Sequence, residues 1–252
     1  MAKRVSSEPT VQQLYRTLLR TWGPQHWWPA ASRFEVIMGA FLTQNTSWRN
    51  VDLALKNLRR VGALNVAAIR RLPLRDLEQL VRPAGYFRQK APRLKGFVQY
   101  LDRNHRGSLS AMFARPTEQL RAELLALNGI GPETADSILL YAGNHPVFVV
   151  DGYARRIFER HGLVTPAASY DQLRTLVQKE LAGLPAKAVR SGAEPTHRPS
   201  RMSRSPRSAA AQHFNEMHGL LVTAGKLYCH KTQPRCPECP LACFLKAPLS
   251  AV

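Results

Sequence analysis

The segment that most constrains the fold of this chain is residues 127–136, which read Leu-Asn-Gly-Ile-Gly-Pro-Glu-Thr-Ala-Asp. Gly129 and Gly131 carry no Cβ, so the backbone can turn sharply there and approach another backbone closely. Pro132 suits the first turn of a helix, where a backbone N–H has no intrahelical partner. Because residues 117–127 have amphipathic spacing, the segment predicts a hairpin between two helices. The exposed N–H groups of this turn and the positive end of the second helix dipole predict a site for one phosphate.

A carboxylate follows the second helix of this hairpin. Residues 136–142 continue that helix, residues 143–146 end it, and the apolar run 147–150 leads to Asp151. We expect this run to place Asp151 near the group that the hairpin binds. The alternative is that the glycines form only a tight turn and that Asp151 caps a helix over residues 152–161, because aspartate is a frequent N-cap.

The charge of the chain favours a polyanionic partner. Lys and Arg number 36 against 17 Asp and Glu, which gives a net charge of +19. Neutralisation of phosphates by Lys and Arg supplies most sequence-independent affinity for nucleic acid. A hydrophobic content of 44% and four Trp indicate a folded core, and 252 residues suit one large or two small domains. Without a long apolar run or a secretory signal, we expect the chain in the cytoplasm, associated with the nucleoid. A monomer is taken as the default state.

All four cysteines lie near the C-terminus, at Cys229, Cys236, Cys239 and Cys243. In a reducing compartment, such clustering favours a metal centre over disulfides. Four thiolates on one compact loop can hold a tetrahedral zinc ion or a [4Fe–4S] cluster, and the spacing leaves both open.

The periodicity of the apolar residues predicts an all-α chain. Residues 187–211 interrupt it with five Arg, several Ser and Pro, and no apolar period, which predicts a flexible basic insertion. That insertion is interpreted as a solvated linker or as an additional arm that contacts DNA. The predicted helices cover residues 11–21, 34–42, 48–61, 67–72, 74–81, 89–104, 117–127, 136–142, 152–161 and 212–227.

Together, the hairpin, the aspartate, residues 42–46 and the cysteine loop resemble the endonuclease III superfamily, the helix-hairpin-helix DNA glycosylases of base-excision repair. The resemblance implies a two-lobed all-α fold with double-stranded DNA bound in a cleft between the lobes, and a C-terminal four-cysteine loop that holds a [4Fe–4S] cluster. One lobe would be residues 34–145, and the other would be residues 1–33 with 146–252. The family loop usually leaves five residues before its last cysteine, and this chain leaves three.

One branch of the superfamily is most similar, the bacterial 3-methyladenine DNA glycosylases related to endonuclease III. The similarity is spread over both expected lobes. It rests on Trp27-Trp28-Pro29, Phe34-Glu35, Gly39-Ala40, residues 42–46, Val81-Arg82-Pro83 with Gly85, Gln89-Lys90-Ala91, and Glu133 with Ala135-Asp136.

The resemblance implies a role for each candidate site residue. Asp151 would be catalytic, and Gly129, Ile130 and Gly131 would bind DNA. Gln44 would fill the hole left by an extruded base, and Tyr86 would act as a wedge on the opposite strand. Trp48, Trp28 and Glu133 would belong to the base pocket. The alternatives are that Gln44 caps the helix that ends near residue 42, and that the tryptophans, Trp22 above all, are core residues.

Glu133 occupies the position at which bifunctional members carry a lysine nucleophile. A carboxylate cannot form an imine, so the covalent lyase route is not available from that position. This departure predicts a monofunctional glycosylase, and the resemblance implies alkylated purines such as 3-methyladenine as its substrates. Two rivals stay open: a bifunctional glycosylase and AP lyase for oxidised pyrimidines, and a DNA-binding protein without catalysis.

Overall fold

The computed structural model describes residues 9–185 and 198–245, and across these two ranges the chain forms twelve α-helices and no β-strand. The all-α prediction is confirmed for this part of the chain. The helices are α1 (Val11–Trp22), α2 (Arg33–Leu42), α3 (Trp48–Arg60), α4 (Val66–Arg71), α5 (Leu74–Val81), α6 (Phe87–His105), α7 (Leu109–Phe113), α8 (Thr117–Leu125), α9 (Pro132–Ser137), α10 (Gly152–Arg160), α11 (Tyr170–Leu181) and α12 (Ala209–Leu227). No helix in the described ranges is long and apolar enough to cross a membrane.

The chain divides into two compact units, one of Ala30–His145 and one of Met1–Pro29 with Pro146–Val252. The sequence placed the first boundary after residue 33, and the structure places it before Ala30. Local hydrogen bonds explain the difference, because the N–H of Ala31 donates to Glu35 Oε2 at 2.9 Å and Ser32 caps α2. Residues 30–33 therefore belong with the helix that they introduce.

In the unit Ala30–His145, α2 forms the centre of the core. Every residue from Phe34 to Leu42 is buried, and α2 packs on α3, on α6 and on a π-helical turn, Ile138–Ala142, that continues α9. A buried ion pair joins the two helices of the predicted hairpin: Arg121 Nε on α8 donates to Asp136 Oδ1 on α9 at 2.7 Å. The two helices of the hairpin are thus held together by a charged pair as well as by apolar packing.

In the other unit, α12 is the central helix and packs on α1, α10 and α11. Helix α11 is absent from the predicted helices, although Leu173, Val177 and Leu181 are buried at helical spacing and Ser169 forms a capping box with Gln172. The short α7 in the first unit is absent from them as well.

The prediction of a flexible insertion over residues 187–211 is corrected in part. Residues 187–197 lie outside the described residues. Residues 198–208 are held by side-chain hydrogen bonds, and α12 begins at Ala209 behind the N-cap Ser208, three residues before the predicted start. The Ser, Pro and Arg composition concealed these contacts.

Candidate functional site

The hairpin has the backbone geometry that its glycines predict. Gly129 adopts a φ of +81°, a left-handed conformation that favours glycine. A Cβ on Gly129 would overlap the side chain of Arg93 at Nε, whereas a Cβ on Gly131 would meet nothing within 4 Å. Gly131 is the N-cap of α9, Pro132 follows in its first turn, and Ile130 is buried beneath the turn. The phosphate site expected here stays a prediction.

Gln44 lies directly on this hairpin. Its Nε2 donates to the carbonyl of Gly129 and to Oγ1 of Thr134, both at 2.9 Å. Nη1 of Arg93 donates to Gln44 Oε1 at 3.2 Å, so both polar atoms of the Gln44 side chain form hydrogen bonds. The structure therefore brings together two of the predicted DNA-binding elements and adds Arg93, which the sequence analysis did not single out.

Tyr86 precedes α6 and is 62% exposed, with a positive φ of 46° that non-glycine residues rarely adopt. Lys90, one turn further, is almost fully buried. Its Nζ donates to the carbonyl of Leu42 at 2.9 Å and to that of Ala84 at 2.8 Å. Lys90 thus joins the segment that carries Gln44 to the turn that carries Tyr86. Burial, and then the charge of Arg93, lowers the pKa of Lys90 to about 8.

The predicted base-pocket residues are divided between the units. Trp48, half-buried, begins α3, and Glu133, exposed, lies in the first turn of α9, both in the unit Ala30–His145. A carboxylate there suits the positive end of a helix dipole. Trp28 belongs to the other unit and is buried.

Asp151 is an N-cap, as the alternative interpretation held, but capping occupies only one of its oxygens. Oδ1 accepts from the N–H of Ala154 at 2.7 Å at the start of α10. Oδ2 lies 3.6 Å from Nε2 of His218, a buried residue of α12. Burial lowers the pKa of His218, and the carboxylate of Asp151 opposes this shift. No motif in the sequence pointed to His218.

An aromatic segment lies beside this pair in the same unit. The ring of Trp27 is 6.3 Å from the imidazole of His218, and the ring of Trp28 is 5.9 Å from that of Trp27. The segment is fixed to α12 through Gln25, whose N–H donates to Glu216 Oε2 at 2.6 Å. One carboxylate, one imidazole and two indoles therefore form a contiguous group. Trp22, taken as a core aromatic, stacks on Tyr228 and is half-buried.

The four cysteines follow α12. Cys229 is buried, Cys236 and Cys239 are half-buried, and Cys243 is exposed. The first three line one small cavity together with the apolar side chains of Ile157, Ala224 and Leu241. Burial raises the pKa of Cys239, and the charges of the other three cysteines raise it further, so all four thiols share one neighbourhood.

In the described ranges, no three His, Cys, Asp or Glu side chains form a group that could hold a metal ion. The donor set nevertheless suits a four-thiolate group. Nη1 of Arg160 donates to Sγ of Cys229 at 3.1 Å, an N–H to sulfur contact of the kind that supports a cysteine metal ligand. A group held here would have Cys229, Cys236, Cys239 and Cys243 as its ligands.

The chain matches the family described as HhH-GPD superfamily base excision DNA repair protein over residues 38–182. Its curated relatives include "Putative DNA repair glycosylase MJ1434" of Methanocaldococcus jannaschii, which is 37% identical over 93% of this chain and 94% of its own length. Endonuclease III of Thermotoga maritima is 26% identical over 94% of this chain and 90% of its own length.

Two solved structures have the same fold. The H. pylori 3-methyladenine DNA glycosylase bound to 1,N6-ethenoadenine is 29% identical, with a TM-score of 0.68 over 86% of this chain and 98% of that one. A trapped endonuclease III–DNA covalent intermediate gives a TM-score of 0.71 at 21% identity over 94% of this chain and 96% of that one. The chain belongs to the HhH-GPD superfamily of base-excision repair proteins, and it is a DNA glycosylase of that superfamily.

Proposed function

We propose that this glycosylase hydrolyses the N-glycosidic bond of alkylated purines such as 3-methyladenine in double-stranded DNA, and that it does not cut the DNA backbone. The observation that carries the proposal is the group formed by Asp151, His218 and the Trp27–Trp28 segment. In this group the Asp151 oxygen that does not cap α10 lies beside His218, and the imidazole of His218 lies beside the ring of Trp27.

Asp151 supplies the charge that this chemistry needs. Cleavage of the glycosidic bond develops positive charge on the sugar, and a fixed carboxylate stabilises that charge and can orient or deprotonate the attacking water. Because Oδ1 is used by the N–H of Ala154, Oδ2 is the oxygen available for this role. An alkylated purine already carries positive charge, so its departure requires little protonation.

The aromatic residues suit a cationic base. A cation over an indole ring gains about 0.5 to 2 kcal/mol. Trp27 already binds a cation in this way, since Nζ of Lys226 lies 5.8 Å from its ring centroid. We assign Trp28, which lies in the same unit as Asp151, to the base pocket, in keeping with the 1,N6-ethenoadenine bound by the H. pylori relative. The roles of Trp48 and Glu133 in base recognition stay predictions.

Several residues would act on the DNA rather than on the base. We assign phosphate binding to Gly129, Ile130 and Gly131. Gln44 would fill the space of the extruded nucleotide, and Tyr86, as the exposed side chain before α6, would wedge the opposite strand. Extrusion of a base costs about a few kcal/mol, which these contacts would offset.

Two residues support the proposal that no lyase step occurs. Glu133 takes the position of the lysine nucleophile, and Lys90, although its pKa is lowered to about 8, is buried and donates to two carbonyls. Neither residue presents a free amine to an abasic sugar.

We also propose that Cys229, Cys236, Cys239 and Cys243 hold a [4Fe–4S] cluster. Such a cluster would be structural, because all four iron positions are taken up by cysteine thiolates. Arg160 would support it from α10 through its contact with Cys229.

The test is base release from duplexes that contain 3-methyladenine, with oxidised pyrimidines in parallel, for the wild type and Asp151→Asn. We expect 3-methyladenine release that the substitution removes, with no strand cleavage and no covalent product after borohydride treatment of an abasic duplex. Release of oxidised pyrimidines with borohydride trapping would replace this proposal by the bifunctional one. Unchanged activity of Asp151→Asn in every assay would favour a role in binding alone.

A further inference from the structure

A short arginine-rich segment follows the part of the chain that matches the family. Residues 198–208 read Arg-Pro-Ser-Arg-Met-Ser-Arg-Ser-Pro-Arg-Ser, and we name them the arginine loop. Arginine recurs at every third position and no acidic residue is present. The loop lies outside residues 38–182, so it is not part of the matched superfamily core.

The backbone of the arginine loop is fixed rather than solvated. Ser200 and Ser203 exchange N–H to Oγ hydrogen bonds at 2.8 and 3.1 Å, and Met202 is buried. Nη2 of Arg207 donates to the carbonyl of Met202 at 2.8 Å. The last arginine of the loop therefore stabilises the conformation of the loop. Because the backbone of the loop is already ordered, binding of a partner by its side chains costs little further backbone entropy.

The other three arginines face solvent. Arg198, Arg201 and Arg204 are exposed, and none forms an ion pair with a carboxylate of the described residues. Arg204 also contributes to lowering the pKa of His26, after burial, which places its positive charge near the aromatic segment. Three like charges on one short fixed loop repel each other, and an anionic partner relieves that repulsion.

The position of the loop indicates which anion it meets. Oγ of Ser200 donates to the carbonyl of Trp28 at 3.1 Å, so the loop is attached to the indole segment beside Asp151. A nucleotide held at that segment has phosphates on both sides, and arginine binds phosphate through several N–H groups at once.

We propose that the arginine loop binds the phosphate backbone of the DNA duplex through Arg198, Arg201 and Arg204. This binding surface is additional to the hairpin and independent of base identity. The inference rests on the proposed function in taking duplex DNA as the substrate and the indole segment as the place where a nucleotide is held.

The experiment compares the triple variant Arg198→Ala, Arg201→Ala and Arg204→Ala with the wild type. The Kd for an undamaged duplex is measured over a range of salt concentrations. Each phosphate contact contributes about 0.9 to the slope of log K against log salt concentration. We therefore expect the triple variant to lower the slope by up to about 2.7, with unchanged thermal stability. Replacing the same arginines by lysine should retain most of the slope, because lysine keeps the charge.

The matched control removes three exposed arginines of the other unit, Arg60, Arg71 and Arg75. It has the same net charge as the triple variant and should keep the slope of the wild type. A wild-type slope in the Arg198, Arg201 and Arg204 variant, or an equal reduction in the control, would overturn the proposal. Because the duplex is undamaged, the result does not depend on which base the enzyme releases.

Discussion

Nε2 of His218 lies 3.6 Å from Oδ2 of Asp151, while the other oxygen of the same carboxylate caps α10. Burial lowers the pKa of His218 below its ordinary value of 6.5, so the imidazole is neutral at pH 7. Asp151 therefore has a buried polar neighbour that does not cancel its charge. The cap fixes the carboxylate through Oδ1 and leaves Oδ2 on the side of the imidazole.

Asp151→Asn separates the catalytic role of this residue from its structural role. Asparagine caps a helix as well as aspartate does, so we expect little change in the free energy of unfolding. Loss of the carboxylate should reduce base release by about 10²- to 10⁴-fold. Single-turnover base release and thermal unfolding of the same preparation check both statements.

Asp151→Ala is the matched control for this substitution, because it removes the charge and the cap together. It should match Asp151→Asn in activity and lose a further stability of about 1 kcal/mol. Equal losses of stability in the two variants would contradict the assignment of Oδ1 as the cap of α10.

Lys90 should make the stability of the protein depend on alkaline pH. Its pKa is about 8 in the folded chain and 10.5 without the fold. Between these values the unfolded chain binds a proton that the native chain does not, so raising the pH favours the native state. The free energy of unfolding should gain up to about 1.4 kcal/mol per pH unit from this group. Denaturant unfolding from pH 8 to pH 10 measures the gain.

Lys90→Met should remove this alkaline gain and destabilise the protein at pH 7. The carbonyls of Leu42 and Ala84 lose their donor, at about 1 to 3 kcal/mol for each acceptor left without a partner. Lys56→Met, at an exposed site paired with Asp52, should keep the gain. A wild-type pH profile in Lys90→Met would show that another group is responsible.

The two hairpin glycines should respond differently to alanine. Gly129→Ala requires a left-handed residue with a Cβ, at about 1 to 2 kcal/mol, and displaces Arg93 from Gln44. Gly131→Ala has ordinary φ and open space, so its unfolding should match the wild type. Thermal unfolding of both variants, followed by duplex binding, tests this difference. A stable Gly129→Ala protein would mean that Arg93 and the turn adjust at little cost.

The colour of the purified protein reports on the cysteine group. Protein prepared without oxygen should be yellow-brown and contain iron and acid-labile sulfide in equal amounts. Cys239→Ser, which alters the half-buried ligand near the other three thiols, should lose the colour and part of the thermal stability. A colourless protein with one zinc ion per chain would identify the other four-thiolate group that the spacing permits.

The sequence predicts those parts of the site that depend on local spacing. Neighbouring residues are enough to predict the turn at the hairpin glycines, the apolar run that leads to Asp151 and most helix bounds. Contacts between distant residues do not: Gln44 and Gly129 are 85 positions apart, and Lys90 and Leu42 are 48 apart. His218 gives no local signal, because a histidine on a buried helix face has the same pattern whether or not it meets a carboxylate.

The arginine loop shows that amino-acid composition can give a wrong prediction of flexibility for a short segment. Serine, proline and arginine without apolar periodicity predicted a flexible segment over residues 187–211. In the described part of that segment, one buried methionine and two serines fix the chain. These residues are too few to change a compositional average, although each makes a specific contact.

The hydrogen bonds that Gln44 makes in this structure oppose its proposed insertion into a DNA duplex. Its amide makes three hydrogen bonds, with Gly129, Thr134 and Arg93, and entry into a duplex would break all of them. An intact base pair offers nothing in exchange, whereas the gap behind an extruded base offers polar groups that have lost their partners. Insertion would then be favourable only where a base has already begun to leave. The hairpin proposed to bind the backbone would therefore also restrain the protein from opening undamaged DNA.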